Sequence, residues 1–251
     1  MEKEIMSKNL SIITLSKNNH KQLKKTIEST FCLRENGTKQ IVIDSSSKET
    51  FKKNKIYVSN KKNCLIFYQK PSGISSGFNY GISKVKKGWI WILNSGDDSI
   101  IDLKTKPFLE ILLSKTKAGA ILFEILIENK RYVRPPFFSL WPPNFNWIPH
   151  PGSIINKKTY DKVGNYDKKY KIAMDGEFWF RLLGSDKLTI DMISFPIANF
   201  KLDGTSSKNL KLKNKEILRI NFKYLPLIIK RFLNQVLLFI RVSIQNIKLF
   251  L

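Results

Sequence analysis

Gly88-Trp-Ile-Trp-Ile-Leu-Asn-Ser-Gly-Asp-Asp98 is the stretch that decides how the rest of the chain is read. Its first half is short, apolar and rich in aromatic and β-branched side chains, which predicts a strand over 88–93 buried on both faces. Such strands belong to parallel sheets covered by helices on either side. The strand runs into a polar turn carrying two adjacent acids, Asp97 and Asp98. In open parallel sheets ligands bind beyond the carboxyl ends of the strands. Neighbouring carboxylates repel one another unless a cation lies between them. Short oxygen-bearing side chains suit Mg²⁺ or Mn²⁺, which keep waters and bridge to phosphate oxygens. The competing reading is an ordinary turn or helix cap, a common use of Asp.

The same pattern repeats outward from this stretch. Leu10–Leu15, Gln40–Asp44, Asn63–Tyr68, Ala118–Ile127 and Leu188–Ile197 read as strands. Leu23, Ile27 and Phe31 mark a helix over His20–Leu33, and helices are also expected over Phe78–Val85, Asn156–Val163 and Met174–Leu183. Strands alternating with helices predict an α/β fold whose mainly parallel sheet has right-handed crossovers. Asp44 ends the second strand just before Ser45-Ser-Ser. Asp175 and Glu177 sit at a helix start, a suitable place for a general base or simply for an N-cap. Trp89 and Trp91 alternate along one strand and are expected to pack the sheet. The segment 131–151 holds six of the ten prolines with Trp141 and Trp147, and predicts an irregular loop over a sheet edge.

Composition bounds the function. In 251 residues, 42% are hydrophobic and 25% charged, enough for a real core and against wholesale disorder. The length fits one large α/β domain. Cys32 and Cys64 match no disulfide or zinc spacing, which fits a reducing compartment. The apolar run Leu10–Leu15 is too short for a signal-peptide core, so a cytosolic-side protein is expected. With 44 Lys+Arg against 20 Asp+Glu, the net charge is +24. Residues 205–251 carry ten Lys or Arg and a single acid, Glu216, among Leu, Ile and Phe. Their longest uncharged run, Phe232–Ile240, is far shorter than the ~20 residues of a bilayer span. Basic and apolar residues interleaved in this way suit an in-plane helix against anionic lipid, or a helical hairpin packed on the parent domain. Nucleic acid is not an expected partner, since no reader helix or aromatic platform is visible. The expected organisation is a domain over 8–204 and a basic amphipathic helical tail over 205–251.

Six segments in order carry a resemblance: Leu10-Ser-Ile-Ile-Thr-Leu15, Gln40-Ile-Val-Ile-Asp-Ser-Ser-Ser47, Gly73-Ile-Ser-Ser-Gly-Phe-Asn-Tyr-Gly-Ile82, Lys87–Asp97, His150-Pro-Gly-Ser-Ile-Ile-Asn156, and Val163–Asp175 with Arg181. Together they resemble a family 2 glycosyltransferase of the GT-A fold, a Rossmann-like α/β architecture. They are most similar to the branch acting in colanic acid, capsule or lipopolysaccharide assembly. The resemblance implies inverting transfer from a nucleotide-sugar donor, UDP-linked, to a surface-polysaccharide or lipid-linked glycan acceptor, with Mg²⁺ or Mn²⁺ as cofactor. It implies a cytoplasmic protein associated peripherally with the inner face of the membrane.

Residue by residue, the resemblance places Thr14 against the nucleotide base, Asp44 on the uracil edge, Asn79 beside the nucleotide and Asn94 near the ribose. It makes Asp97 the metal ligand at the last position of a DxD-type motif. Asp175 becomes the general base with Glu177 in reserve, Arg181 follows on the same helix, and His150 lies near the diphosphate and acceptor. Asp98 is expected to support or cap the turn. Trp141 and Trp147 are candidates for stacking on a sugar ring, or for core packing. The chain departs from the pattern at Ser72 and Ser76, where acids are usual, at Gly96 in the middle of the DxD-type motif, and at Lys17-Asn18. The alternatives are a non-catalytic basic membrane- or nucleic-acid-binding protein, a loop role for His150, and a degenerate inactive subunit.

Overall fold

The computed structural model describes residues 10–132, 148–185, 188–201, 209–230, 233 and 237. Trp141, Trp147 and most of the chain beyond residue 230 lie outside the described residues.

Four strands, β1 (Leu10–Ser16), β2 (Lys39–Asp44), β3 (Cys64–Tyr68) and β4 (Trp89–Ile92), pair in parallel in the spatial order β3-β2-β1-β4. The crossovers between them are α1 (His20–Ser29) with its continuation α2 (Phe31–Glu35), then α3 (Lys48–Ser59), then α4 (Ile74–Ser83). The continuous apolar runs follow from burial on both faces. Ile13, Ile41, Ile43, Ile90 and Ile92 pack into one layer, with Phe78 and Ile82 of α4. Leu10, Ile12, Trp89, Trp91 and Leu93 pack into the opposite one. The two tryptophans serve the sheet, and their indole N–H groups donate to buried carbonyls, Trp89 to Leu113 (2.9 Å) and Trp91 to Pro151 (2.8 Å).

Beyond β4 the sheet becomes mixed. β8 (Ser153–Asn156) runs antiparallel to both β4 and β6 (Ala120–Ile127), and β9 (Ile190–Phe200) lies parallel to β6. Two short strands, β5 (Asp98–Ser99) and β7 (Lys130–Tyr132), pair antiparallel with β9 and β6 respectively. α5 (Lys106–Lys115), α6 (Lys157–Val163), α7 (Met174–Leu183) and α8 (Leu210–Lys223) are the remaining named helices, and residues 225–230 are helical beyond α8. The fold is thus the expected α/β sheet, mostly parallel and flanked by helices.

Several boundaries differ from expectation. The helix expected over His20–Leu33 breaks at Thr30, whose hydroxyl reaches Ile27 O (2.9 Å) and Gln40 Oε1 (2.7 Å). α3 starts on Ser47, whose side chain accepts from Thr50 N, with Glu49 in its first turn. The division expected after residue 204 does not separate the packing. Ile220 of α8 and Ile228 beyond it are buried in the same core as Phe178 and Phe180 of α7, and Tyr224 stacks on Phe180 at 5.0 Å. The front of the basic tail is therefore a wall of the domain. Among the described residues, no helix is long and apolar enough to cross a membrane.

Candidate active site

A cavity of about 480 Å³ opens at the carboxyl ends of β1, β2 and β4, where the open-sheet rule places ligands. Leu15 to Lys17 follow from β1, Ile43 and Ser45 from β2, and Asn94 to Asp97 from β4. Ser72 and Gly73 lead into α4 on one side. Pro149 to Pro151, Met174 and Asp175 stand on another, and Phe200, Lys201 and Lys213 close the rim.

The turn after β4 is built around a glycine. Gly96 has φ +114°, and a Cβ there would sit 3.0 Å from Gln22 Oε1. An acid at this position would meet backbone strain from the positive φ and a tight contact that the Gln22 side chain must give way to, which gives a physical reason for the missing middle carboxylate. The Thr26 hydroxyl holds the turn, donating to Asp97 O (2.7 Å) and accepting from Gly96 N (3.0 Å).

This turn presents Asp97, only 4% exposed, with its oxygens accepting from the backbone N–H of Asn94 and Lys201 (3.3 Å each). Burial pushes its carboxyl up to about 6, against the opposing pull of the His150 charge. Asn94 Nδ2 lies 3.2 Å from His150 Nε2, and the buried Asn94 Oδ1 has no hydrogen-bond partner among the described residues. His150 sits in a 3₁₀ turn, His150–Gly152, with the Phe78 ring edge-on at 5.4 Å. Its Nδ1 is 3.5 Å from Asp175 Oδ2, an ion-pair distance that is long for a hydrogen bond. Burial pulls the imidazole pKa down, but the Asp175 and Asp97 carboxylates outweigh it and leave the pKa raised. The other Asp175 oxygen accepts from Gly176 N (2.9 Å) at the start of α7. Ser16 Oγ and Ser95 Oγ, both on cavity-lining residues, are also buried without hydrogen-bond partners among the described residues. Buried polar atoms are ordinarily paired, so their concentration here marks a site built for a polar ligand.

Asp97, Asn94, His150 and Asp175 therefore converge. The other expected site residues do not line the cavity. Thr14 is fully buried on the α1 side of β1, accepting from Gln40 Nε2 (3.0 Å). Asp44 is also fully buried, and its oxygens take Ser46 N (2.8 Å) and Asn54 Nδ2 (2.6 Å). Asn79 grips the backbone of Tyr166 through both its amide atoms (2.8 and 3.0 Å). Arg181 ties α7 to the turn after α6, donating to the carbonyls of Val163, Gly164 and Asn165 and to Glu177 Oε2. Glu177 is no free reserve base, because Lys223 Nζ (2.8 Å), Tyr224 OH (2.6 Å) and Arg181 occupy its carboxylate. Asp98 points to Lys25 (2.5 Å) rather than into the cavity.

Asp97 fits a divalent cation: a desolvated carboxylate at the cavity, with an unpartnered amide oxygen on the same turn. Among the described residues no cluster of three or more His, Cys, Asp or Glu is arranged for a metal. The donor set suits an ion held by one carboxylate and completed by phosphate and water. Three lysines, Lys17, Lys201 and Lys213, also line the cavity. Lys201 and Lys213 were not legible as site residues, since among 44 basic residues only packing shows which ones converge.

Residues 11–175 match the description Glycosyl transferase family 2. An uncharacterized glycosyltransferase of Rickettsia bellii (strain RML369-C) is 22% identical over 222 residues, covering 82% of this chain and 32% of that protein. Another, from Rickettsia typhi (strain ATCC VR-144 / Wilmington), is 25% identical over 206 residues, covering 76% and 64%. The chain thus spans about a third of one relative and under two thirds of the other. Its fold is similar to crystal structures of S. aureus TarS 1-349. The complex with UDP-GlcNAc has a TM-score of 0.64 at 16% identity over 80% of this chain and 61% of that one. The complex with UDP has a TM-score of 0.61 at 16% identity over 81% and 63%.

Proposed function

The chain belongs to glycosyl transferase family 2, and from that premise we propose that it transfers a sugar from a nucleotide-diphosphate donor, UDP-linked, to a glycan acceptor with inversion. The observation that carries the reading is the convergence of Asp97, Asn94, His150 and Asp175 on one cavity at the strand ends. S. aureus TarS, with a similar fold, has been captured with UDP-GlcNAc, which supports UDP as the nucleotide.

In this reading Asp175 takes the proton of the acceptor hydroxyl, whose oxygen attacks the anomeric carbon as the bond to the diphosphate breaks. One base and one displacement give inversion. Asp175 is held for this by Gly176 N on one oxygen and faced by His150 on the other. The leaving diphosphate gathers negative charge, and Lys17, Lys201 and Lys213 supply positive charge around it. Mg²⁺ or Mn²⁺ at Asp97 would add Lewis-acid stabilisation of the same group. Thr14, Asp44, Asn79 and Arg181 contribute by fixing the strand ends and the α6–α7 turn rather than by touching substrate.

The acceptor in this proposal is a surface-polysaccharide or lipid-linked glycan, met by a cytoplasmic protein bound peripherally at the anionic inner face of the membrane. Leu218 and Phe222 of α8, then Leu225 and Ile229, are exposed beside the exposed Lys215, Arg219 and Lys230. This mixture suits an interfacial surface.

The test is UDP release from UDP-GlcNAc with Mn²⁺, comparing the wild type with Asp175→Asn. Loss of a general base should slow turnover by about 10²-fold or more. An Asp175→Asn enzyme turning over at the wild-type rate contradicts the assignment.

A further inference from the structure

We infer that Glu216, on the C-terminal helix α8, is a positioning residue for Asp175; the inference rests on the reading of Asp175 as the general base. Glu216 is the single acid of the basic segment 205–251 and lies outside the family match over 11–175. Its side chain is buried among α7 and the loop that leads into it. One oxygen accepts from Lys171 N (2.8 Å), and the other from Ile172 N and Ala173 N (2.9 Å each).

Those three N–H groups immediately precede Met174, where α7 begins. A helix start leaves its first N–H groups without intrahelical partners and concentrates partial positive charge there. Here the N-cap residue, Ala173, has no side chain to answer them. The Glu216 carboxylate comes from another helix and holds the N–H of the N-cap residue Ala173 with those of the two residues before it, so it fixes the entry into α7 rather than the first helical N–H groups. Asp175 is two residues further on, so the conformation of 171–173 sets where its carboxylate emerges. Ile172, Met174 and Asp175 all line the cavity, and Lys213, three residues before Glu216 on α8, lines it too. A second tie comes from the C-terminal end of α8, where Lys223 and Tyr224 reach Glu177 Oε1 and grip the next half-turn of α7. Asp175 thus sits between two anchor points that both come from the segment 216–224.

Without the Glu216 carboxylate, residues 171–173 must find other acceptors, and the 3.5 Å approach of Asp175 to His150 loosens. Glu216 itself faces backbone and not the cavity, so donor binding should be spared. The chain has two histidines, His20 and His150, so the ring resonances are readily assigned. The experiment follows the titration of His150 by NMR in the metal-free full chain for wild type, Asp175→Asn, Glu216→Gln and Glu216→Asp, with His20 as internal control.

Removing the Asp175 charge should lower the His150 pKa. Glu216→Gln should move it the same way by part of that amount, with His20 unmoved. Glu216→Asp, which keeps the charge on a shorter arm, should lie between Gln and wild type, and it carries the test if Glu216→Gln fails to fold. In UDP-GlcNAc turnover, kcat should fall in both Glu216 variants while the donor KM holds. A wild-type His150 titration in the folded Glu216 variants, with Asp175→Asn shifted, overturns the positioning role alone. An unshifted Asp175→Asn overturns the His150–Asp175 pair, and with it both readings.

Discussion

Replacing Asp97 by Asn in the metal-free protein is expected to stabilise the fold above pH 6 while removing the carboxylate on which the proposed site depends. Asp97 is 4% exposed and titrates at about 6, against about 4 for an ordinary Asp. The native state therefore holds its proton to higher pH than the unfolded chain does. Stability from this group is fully present below about pH 4 and is lost as pH rises through 6. At about 1.4 kcal/mol per pH unit, the loss above that window is about 3 kcal/mol. Asn escapes it, but a single amide oxygen cannot serve both Asn94 N and Lys201 N, at a cost of about 1 kcal/mol. The net gain at pH 7.5 is about 2 kcal/mol, or roughly 4–8 °C in Tm for a chain of this size. Calorimetry in EDTA at pH 4, 5, 6 and 7.5 reads it directly. The variant should be slightly the less stable at pH 4 and clearly the more stable at pH 7.5. A Tm difference independent of pH, or a loss at pH 7.5, refutes the view that desolvation dominates at Asp97.

Two further outcomes follow from the same geometry. Trp91→Phe leaves the carbonyl of Pro151 without its indole donor in a buried place, costing about 1–3 kcal/mol by chemical denaturation. Because Pro151 adjoins His150, UDP affinity should fall with it. Lys213→Ala should leave the melting temperature within about 1 °C and weaken UDP binding about tenfold, with a shallower dependence on salt, as expected for a charge-assisted contact. Calorimetric titration at two ionic strengths distinguishes this from a change in folding.

The parallel half of the sheet was legible because its strands are apolar on both faces, as Ile12 against Ile13 and Trp91 against Ile92 show. β8 was not, since four residues carry no period and its strand character comes from pairing with β4 and β6. α3 was missed for a related reason: only Asn54 and Val58 are buried on it, so no apolar stripe announces it. Asp97, Asn94, His150 and Asp175 were placed by motif order, and the fold brings them together. Thr14 could not be told from a cavity residue by sequence, because its hydroxyl is taken by Gln40 Nε2 across the β1–β2 pair, a contact that only the fold makes. Arg181 could not, because an arginine spent on three backbone carbonyls looks in sequence like one free to meet an anion. Reading residues 205–251 as a separate tail hid Lys213 and Glu216, whose roles depend on α8 packing against α7.

Equilibrium binding of UDP tests the central claim most directly, because it needs no acceptor. Titration calorimetry of the full chain should show UDP binding with Mn²⁺, binding weakened at least tenfold in EDTA, and no metal-dependent gain in Asp97→Ala. A folded wild-type protein that binds neither UDP nor another nucleoside diphosphate, with or without Mn²⁺, would contradict the account.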